Sequence, residues 1–567
     1  MEQSIWKYAL ENAVKFKGKA NPGAVIGKIL GEFPDSKNDM KATSQLINSI
    51  IKQVNELSLD DQEKKLLEID PDFHDKQKEQ RQQRQEQRKE LPELKNAIQG
   101  KVITRMAPEP SKYNHIGHAM SFLLNYMYSI KYGGKCIIRF DDTNPELSRQ
   151  EYVEAMRQDV LEYLNIKADS EFFASDYMDD FISKAEILID QGKAYTSNQP
   201  SEEISKYRRE MKDHPDRDKS IDQIKKEWQE MKKGNSDYLD FTLRLKIDMQ
   251  HKNAVMRDPV IFRIITDTHY RHGDKYKVWP MYDFECALME GILEITHVLR
   301  SNEFDSRIEL QDYIRSLFNL SNPTIRQYAR TNVKDATTKG REIRDLISTG
   351  EFIGWDDPRL ITLRALKRRG IVKEAYYELA KVIGMSKTTS ELDFSVIAAI
   401  NRQLLDESAK RFFCITNPVK IAIEDAPSLE VNLKFHQHKE ERARKFITNN
   451  TFLIEKQDYD NINDGDMIRL MDCLNFKKEN NNFKYVSTDL EDYKNNGKSV
   501  IHWLPSDDNV DIEILMPDCK TINAKAESNI LKLEQGSVIQ FERYAFCRLD
   551  SKNDSGQPKM IFWYGHQ

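Results

Sequence analysis

Two histidines, His115 and His118, lie one helical turn apart with Gly117 between them. They stand where an apolar, β-branched run over residues 101–106 gives way to apolar side chains at helical spacing. The first turn of a helix offers unpaired backbone N–H groups and the positive end of the helix dipole, both of which favour phosphate. Gly117 lets a flat base approach closely. We therefore expect a nucleotide-binding turn, with two ordinary histidines at a helix start as the alternative.

The elements around this turn alternate between strand and helix. A strand over 101–106 and a helix over 115–131 precede a second strand, 134–140, and a helix over about 148–164. This alternation predicts a parallel α/β sheet. A polar, charged stretch from about 200 to 235 interrupts it and suggests an insertion.

Four domains follow from this pattern. Helices and a charged linker occupy 1–95, and a Rossmann-type parallel-sheet catalytic domain occupies 96–320 with an insertion at about 195–275. A helical subdomain covers 321–408, and short alternating strands over 409–567 predict a β-barrel or a sandwich. The linker is placed at 74–90 because that run has no apolar residue.

Composition narrows the class of protein. The chain has 567 residues and a net charge of −6, so any nucleic-acid binding must use local basic patches. No run approaches the roughly 18 apolar residues of a membrane span, and the N-terminus shows no apolar signal region. Six cysteines are scattered without a C-x-x-C pair, so we expect reduced thiols in a cytoplasmic protein and no zinc site.

Several segments together resemble the archaeal-type glutamyl-tRNA synthetases, in the glutamyl/glutaminyl subgroup of class I aminoacyl-tRNA synthetases. His115-Ile-Gly-His118 resembles the signature with which class I enzymes bind ATP. The resemblance covers nearly the whole chain and includes these segments: 18–27, 115–118, 139–144, 295–300, 354–360, 501–505 and 540–543.

The resemblance implies a fold and an activity. The fold is a multidomain α/β protein with a Rossmann-type catalytic domain, an acceptor-binding insertion, an N-terminal helical domain, a helical subdomain and C-terminal β-barrels that bind the anticodon. The activity is that of a ligase in protein biosynthesis, which activates L-glutamate with ATP and Mg²⁺ and transfers the glutamyl group to tRNA-Glu. Charging of tRNA-Gln as well, and binding of another protein by the N-terminal domain, stay open; we expect a cytoplasmic monomer.

The same resemblance gives individual residues roles. His115, Gly117 and His118 bind ATP, and the two histidines are catalytic. The other assignments concern glutamate: Asp141 and Tyr282 accept its ammonium group, Arg105 and Arg300 pair with its γ-carboxylate, and Ala107 lines its site. For Asp141 the alternative is a helix cap or a surface turn, and for Tyr282 it is core packing.

Two departures from the family pattern concern ATP. Lys112 and Tyr113 occupy a stretch where family members usually carry glycine, which implies a reshaped turn. The second class I signature is degenerate over residues 336–344, where Lys339 is the best match for the catalytic cation on the triphosphate and Arg341 is an ATP-binding helper. Solvated loop charges are the alternative for both.

A basic cluster after the 354–360 segment suits a polyanion. It lies on a predicted helix and comprises Arg364, Lys367, Arg368 and Arg369. We expect these side chains to contact tRNA, although such a run is often a solvated face. A second cluster, at residues 439–445, opens the β region.

Two other functions compete with a glutamate–tRNA ligase. One is glutaminyl-tRNA synthetase, which shares the fold but typically has a small neutral residue where Arg300 stands. The other is a non-catalytic tRNA-binding paralogue, which the degenerate 336–344 loop would suit. The histidines, Asp141, Tyr282 and Arg300 argue against the second, since a binding module has no reason to keep them together.

Overall fold

A computed structural model gives the structure of this protein. It describes residues 1–16, 18–73, 90–329, 331–334, 336–337, 339–384, 390–436, 444–480, 482–553 and 559–567. Nearly all of the predicted charged linker lies outside these residues. The chain divides into two compact units, Met1–Glu90 and Leu91–Gln567.

The first unit is helical. Its second helix begins at Pro22, and the Asn21 side chain accepts a hydrogen bond from the Gly23 N–H, as expected of a cap followed by proline. Ile5, Leu10 and Val54 are fully buried in its apolar core. The α-helices are Glu2–Lys15, Pro22–Glu32, Met40–Glu56 and Leu59–Ile69.

A parallel sheet forms the centre of the second unit. The Lys135–Phe140 strand lies between Ile103–Met106 and Glu171–Phe173 and pairs in parallel with both. The sheet continues through His297–Ser301, which pairs in parallel with Thr324–Tyr328. The Thr296 N–H joins the two parts by donating to the Ile103 carbonyl over 3.1 Å. The sequence-based prediction of a parallel-sheet domain is confirmed.

Helices cover this sheet. Buried side chains of the Ile116–Lys131 helix, which we call the histidine helix, share one apolar core with Leu366, Tyr376 and Leu379 from further along the chain. The region predicted as a helix over 148–164 is an α-helix continued by a π-helical turn. The helices of this part are Ile116–Lys131, Gln150–Arg157, Gln158–Tyr163 (π), Met178–Asp190, Tyr282–Ile292 and Ile308–Leu317.

A separate antiparallel sheet lies between the two parts of the parallel sheet in sequence. Its apolar core includes Trp228, Phe262 and Trp279. Two helices accompany it, Ser201–Glu210 and Ile221–Lys233. Its strands, in order, are Ala194–Ser197, Thr242–Leu245, Val260–Ile264 and Val278–Pro280.

Helices predominate between the parallel sheet and the C-terminal strands. Two short strands, Thr331–Val333 and Ser390–Leu392, pair in parallel across them. The helices are Gly340–Ser348, Leu363–Arg368, Lys373–Ile383 and Phe394–Asp406.

The C-terminal part is rich in β-sheet, as predicted, but the predicted barrels are not closed. Two seven-stranded sheets each keep two unjoined end strands within the described residues. A barrel closes only when its first and last strands pair with each other, and the end strands of these sheets, for example Cys414–Ile415 and Leu504–Pro505, each pair on one side only among the described strands.

The strands of this part belong to these two sheets and to a separate two-stranded ladder. In sheet order, the first sheet is Lys410–Phe412, Val538–Phe541, Ala545–Asn553, Lys559–His566, Asn509–Leu515, Thr521–Glu527 and Cys414–Ile415. The second is Gly497–Ile501, Met467–Leu470, Asn475–Glu479, Asn482–Ser487, Pro418–Glu424, Thr451–Glu455 and Leu504–Pro505. The ladder is Glu430–Leu433 with Arg444–Ile447, and the short helices are Lys456–Asp460 and Leu490–Asn496.

Candidate active site

His115 and His118 cap the N-terminus of the histidine helix. His115 Nδ1 accepts a hydrogen bond from the Gly117 N–H, and His118 Nδ1 accepts one from the His115 N–H, both over 3.1 Å. The two ring centroids are 3.9 Å apart. Because Nδ1 is an acceptor in each ring, the neutral imidazoles carry their hydrogen on Nε2. Each ring can therefore donate from Nε2 to an anion at the helix N-terminus.

The turn before these histidines is tied to a distant segment. His115 pairs with Thr362, and the Leu363 N–H donates to the Asn114 carbonyl over 2.9 Å. Tyr113, which stands in the stretch where the family usually has glycine, packs against Trp355 with ring centroids 5.1 Å apart. The turn therefore gains an aromatic anchor from the segment that includes Trp355.

The two carboxylates after the second parallel strand have different surroundings. Asp141 forms an ion pair with the buried Arg139, with Nε–Oδ1 and Nη2–Oδ2 distances of 2.5 and 2.9 Å. Asp142 accepts hydrogen bonds from the backbone and hydroxyl of Ser175 and from the Tyr270 hydroxyl. Burial raises the pKa of Asp142 to about 6. Asp142 thus connects three segments, whereas Asp141 pairs with a guanidinium of its own strand.

Ala107 lies in the short connection between the first parallel strand, Ile103–Met106, and the turn that leads into His115, which we call the histidine turn. The carbonyl of its neighbour Pro108 accepts from the Asp141 N–H over 3.0 Å. This bond holds the backbone that follows Arg105 against the end of the second strand.

Arg300 is the last residue but one of the His297–Ser301 strand, and its guanidinium is buried. Its side chain is 4% exposed, and none of its three nitrogens has a hydrogen-bond partner among the described residues. The Phe304 ring lies 5.5 Å from it and stacks on Tyr282 with centroids 5.4 Å apart. A buried unpaired charge is costly, so this position favours an anionic ligand.

Tyr282 and Arg105 accompany Arg300. Burial raises the pKa of the Tyr282 hydroxyl well above its ordinary value, so it stays protonated. Arg105 Nη2 donates to the Glu290 carboxylate over 2.9 Å, whereas its Nε has no partner among the described residues. Tyr282 thus lies within electrostatic reach of both Arg105 and Arg300, in one buried, cationic region. Their roles in binding glutamate stay predictions.

Sequence reasoning missed the acidic side chains of the Tyr282–Ile292 helix. Glu290 and Glu285 lie inside an apolar helix and are buried. Glu285 accepts a hydrogen bond from the Thr143 hydroxyl, and burial raises its pKa well above the ordinary value. Two acids at core positions of an apolar helix were the available signal, because burying a carboxylate requires a partner.

The predicted second signature loop leads into the Gly340–Ser348 helix. Lys339 is the N-cap residue, is exposed, and forms an ion pair with Glu342 at 2.7 Å. Arg341 is exposed as well. On the same helix, Arg344 donates to the Ser111 carbonyl over 3.0 Å, so the helix contacts the chain just before His115.

The basic cluster of the Leu363–Arg368 helix divides into two pairs. Arg364 lies over the Tyr113 ring at 4.6 Å and donates to Gln158. Lys367 is exposed and lies 5.2 Å from the Tyr163 ring. The helix that carries these two side chains pairs with the histidine turn through the Leu363 N–H, and both cations keep solvent-accessible surface that a polyanion could contact.

The other two arginines bind the C-terminal sheet. Arg368 donates to both oxygens of Asp550, and Arg369, 8% exposed, donates to the Gly565 carbonyl over 3.0 Å. In the second basic cluster, Arg444 is buried in an ion pair with Glu527, and residues 439–443 lie outside the described part. Burial leaves Arg369 and Arg444 little surface for an external ligand.

Metal and membrane features were sought in the described residues only. In them, no group of three or more His, Cys, Asp or Glu side chains could hold a metal ion. The six cysteines are free thiols. In the same part of the chain, none of the helices combines the length and apolarity that crossing a bilayer requires.

Comparison with known families gives three matches. Residues 101–407 match the catalytic domain of tRNA synthetases class I (E and Q). Residues 409–491 and 500–550 match two anticodon-binding domains of the same class.

Individual relatives match over full length. The glutamate–tRNA ligase of Pyrococcus furiosus is 35% identical over 580 aligned residues, covering 100% of both chains. That of Methanocaldococcus jannaschii is 35% identical over 574, again covering 100% of both. A solved glutamate tRNA ligase from Elizabethkingia meningosepticum, in complex with its amino acid, is 15% identical with a TM-score of 0.38 over 55% of this chain and 70% of that one.

Proposed function

This chain belongs to the class I tRNA synthetases for glutamate and glutamine, and from that membership we propose that it is a glutamate–tRNA ligase. It activates L-glutamate with ATP and transfers the glutamyl group to the 3′ end of tRNA. The observation that carries the choice of glutamate is Arg300, a buried guanidinium without a partner among the described residues. A γ-carboxylate supplies the missing charge and pairs with it through two parallel hydrogen bonds.

The first step forms a bond between a glutamate oxygen and the α-phosphorus of ATP and releases pyrophosphate. Both reactants are negative, so catalysis consists of positioning and charge stabilisation. We propose that His115 and His118 donate from Nε2 to phosphate oxygens and that Gly117 admits the base. In the second step a ribose hydroxyl of tRNA attacks the activated carbonyl, and AMP leaves.

Glutamate is held between the parallel strands and the Tyr282–Ile292 helix. Asp141 and the Tyr282 hydroxyl accept hydrogen bonds from the ammonium group. Arg105 and Arg300 surround the γ-carboxylate, and Ala107 borders the site. The Phe304 ring beside Arg300 keeps water away and so strengthens the ion pair.

Mg²⁺ enters with ATP in this proposal. Bound there, it would neutralise part of the charge of the triphosphate. Lys339 supplies the mobile cation near the triphosphate after leaving Glu342, and Arg341 assists it.

The tRNA is a polyanion, and Arg364 and Lys367 are the proposed contacts near the histidine turn. Arg368 and Arg369 act instead by holding the C-terminal sheet that carries the anticodon-binding matches.

We propose that the enzyme is a cytoplasmic monomer whose four domains meet at residues 95, 320 and 408. Charging of tRNA-Gln and protein binding by the N-terminal domain are further proposals.

Pyrophosphate exchange tests the proposed activity. Wild-type enzyme with glutamate, ATP, Mg²⁺ and tRNA-Glu should incorporate labelled pyrophosphate into ATP, and omission of glutamate should abolish it. Transfer RNA is included because this synthetase group commonly needs it for activation. Absence of exchange at saturating substrates would favour the non-catalytic paralogue.

Lys339→Ala tests the proposed second signature. Loss of the cation should lower kcat by about 10²-fold or more and change the KM for glutamate little, because the charge acts on the transition state. Lys373→Ala is the matched control, since that lysine begins a different helix and its side chain, 39% exposed, pairs with a glutamate one residue along the chain. Wild-type turnover in Lys339→Ala would transfer the role to Arg341.

A further inference from the structure

Glu290 is the anion at the centre of the predicted glutamate pocket. Its side chain is fully buried on the Tyr282–Ile292 helix. Oε1 accepts from Arg105 Nη2 over 2.9 Å and from the Cys286 thiol over 3.3 Å. Oε2 accepts from Arg315 Nη1 over 3.1 Å. One carboxylate therefore joins the first parallel strand to two helices.

The buried charges around Glu290 leave one cation without a partner. Arg139 pairs with Asp141, and Arg105 pairs with Glu290. Arg315 pairs with Glu290 and with the more exposed Asp312. Arg300 alone among these guanidiniums has no hydrogen-bond partner in the described residues.

The other titratable groups beside Glu290 add no compensating charge. Burial raises the pKa of the Cys286 thiol to about 11 and that of the Tyr282 hydroxyl well above its ordinary value. Burial also raises the pKa of Glu285 well above its ordinary value and so favours its neutral form. Burial alone would raise the pKa of Glu290, but the guanidiniums of Arg105 and its neighbours outweigh it and lower that pKa. Two acids of this helix pair with guanidiniums: Asp283 with Arg307, and Glu290 with Arg105 and Arg315.

We propose that Glu290 is a positioning and specificity-determining residue that fixes Arg105 and balances its charge, so that the pocket presents one spare cation, Arg300, to one side-chain carboxylate. This inference rests on the proposed glutamate–tRNA ligase function. It explains why a region with four guanidiniums would accept a single γ-carboxylate. Glu290, Asp141 and Asp312 carry three negative charges against Arg105, Arg139 and Arg315, which leaves the charge of Arg300 to be matched.

Glu290→Gln removes the charge with little change in shape. Arg105 loses its ionic partner, and kcat/KM for glutamate in tRNA-dependent pyrophosphate exchange should fall about 30-fold or more. A second guanidinium charge also becomes spare, so a small anion can enter. When gluconate is replaced by chloride at constant ionic strength, the KM of this variant for glutamate should therefore rise several-fold. The KM of the wild type should stay the same.

The chloride dependence separates charge balance from mere structural support. Glu290→Gln/Arg315→Gln removes one buried charge of each sign and should lose the chloride dependence again. Glu290→Asp keeps the charge but withdraws the carboxylate, so the KM for glutamate should rise about tenfold without chloride dependence. Glu527→Gln is the matched control, because it breaks another fully buried pair, with Arg444, far along the chain; its glutamate KM should equal the wild-type value.

Thermal unfolding of each variant confirms that it is folded. If Glu290→Gln does not fold, Glu290→Asp carries the test, and a wild-type KM for glutamate in it would overturn the inference. In folded Glu290→Gln, an unchanged kcat/KM or a KM independent of chloride would overturn it as well. Failure of the wild-type enzyme to use glutamate would instead contradict the proposed function, so the two failures are distinguishable.

Discussion

Arg300 is the residue on which substrate selection depends. Its guanidinium is buried without a hydrogen-bond partner in the described part of the chain, and a neutral amide would leave it partly unpaired. A site that provides paired donors for a carboxylate discriminates against the amide because the amide nitrogen is itself a donor. Arg300 therefore favours glutamate over glutamine, because only the γ-carboxylate of glutamate carries the negative charge that its guanidinium lacks.

Arg300→Cys should weaken glutamate use sharply. We expect kcat/KM for glutamate to fall about 10²-fold or more and the preference over glutamine to narrow, since the γ-carboxylate loses its bidentate partner. Steady-state charging with both amino acids measures this. Arg444→Cys also removes a buried arginine, but one that pairs with Glu527 in the C-terminal part, and it should keep the preference. Glutamate charging by Arg300→Cys at the wild-type rate would remove the main argument against a glutamine enzyme.

Motifs in the sequence pointed to single residues. They named Arg105, Tyr282 and Arg300; Tyr282 lies within electrostatic reach of both arginines, and the roles of all three stay predictions. The sequence did not point to Glu290, because the partner Arg315 lies on another helix and no spacing rule connects the two. The sequence likewise did not show that Glu342 pairs with Lys339, the predicted catalytic lysine, and so competes with ATP for its charge.

At the scale of elements, the ends of parallel strands and the start of one helix position the site. The Ile103–Met106 strand leads to the histidine turn, and Lys135–Phe140 leads to Asp141 and Asp142. Asp142 is tied to Ser175 and Tyr270, so it joins the strand end to segments on both sides. Its buried carboxylate makes this junction sensitive to pH.

The free energy of unfolding of the Asp142→Asn variant, relative to that of the wild type, should increase as the pH rises. Burial raises the pKa of Asp142 to about 6 in the folded protein, above the value of about 4 for an unfolded aspartate. The folded state therefore binds the proton more tightly, and this stabilisation is lost between about pH 4 and pH 6. The difference in unfolding temperature, Asn variant minus wild type, should increase over this range; a constant difference would contradict the assigned pKa.

Helices and strands followed from local pattern, but sheet closure did not. Apolar alternation predicts strands over residues 509–516 and 537–543, and the structure has the strands Asn509–Leu515 and Val538–Phe541 there. Whether such strands close into a barrel depends on pairings between distant residues, and the end strands of these two sheets do not pair with each other in the described part of the chain. The π-helical turn Gln158–Tyr163 was also beyond prediction, because its apolar spacing resembles that of an α-helix.

At the scale of the whole molecule, the unit Leu91–Gln567 joins catalytic and anticodon-binding matches in one compact body. Arg368 contacts Asp550, and the Asn401 amide contacts His566 near the end of the chain. These contacts join residues far apart in sequence, so composition and periodicity could not predict them. They connect the helical subdomain, which also packs on the histidine helix, to the C-terminal sheet.

Charging of separate tRNA transcripts tests the central claim most directly. The purified full-length enzyme is supplied with ATP, Mg²⁺ and either labelled glutamate or labelled glutamine, with tRNA-Glu or tRNA-Gln. We predict that tRNA-Glu is charged with glutamate and that kcat/KM for glutamate exceeds that for glutamine by at least about 10³-fold. Charging of tRNA-Gln with glutamate would extend the substrate range without changing the reaction. Charging with glutamine at a comparable rate, or no charging with glutamate, would contradict the account.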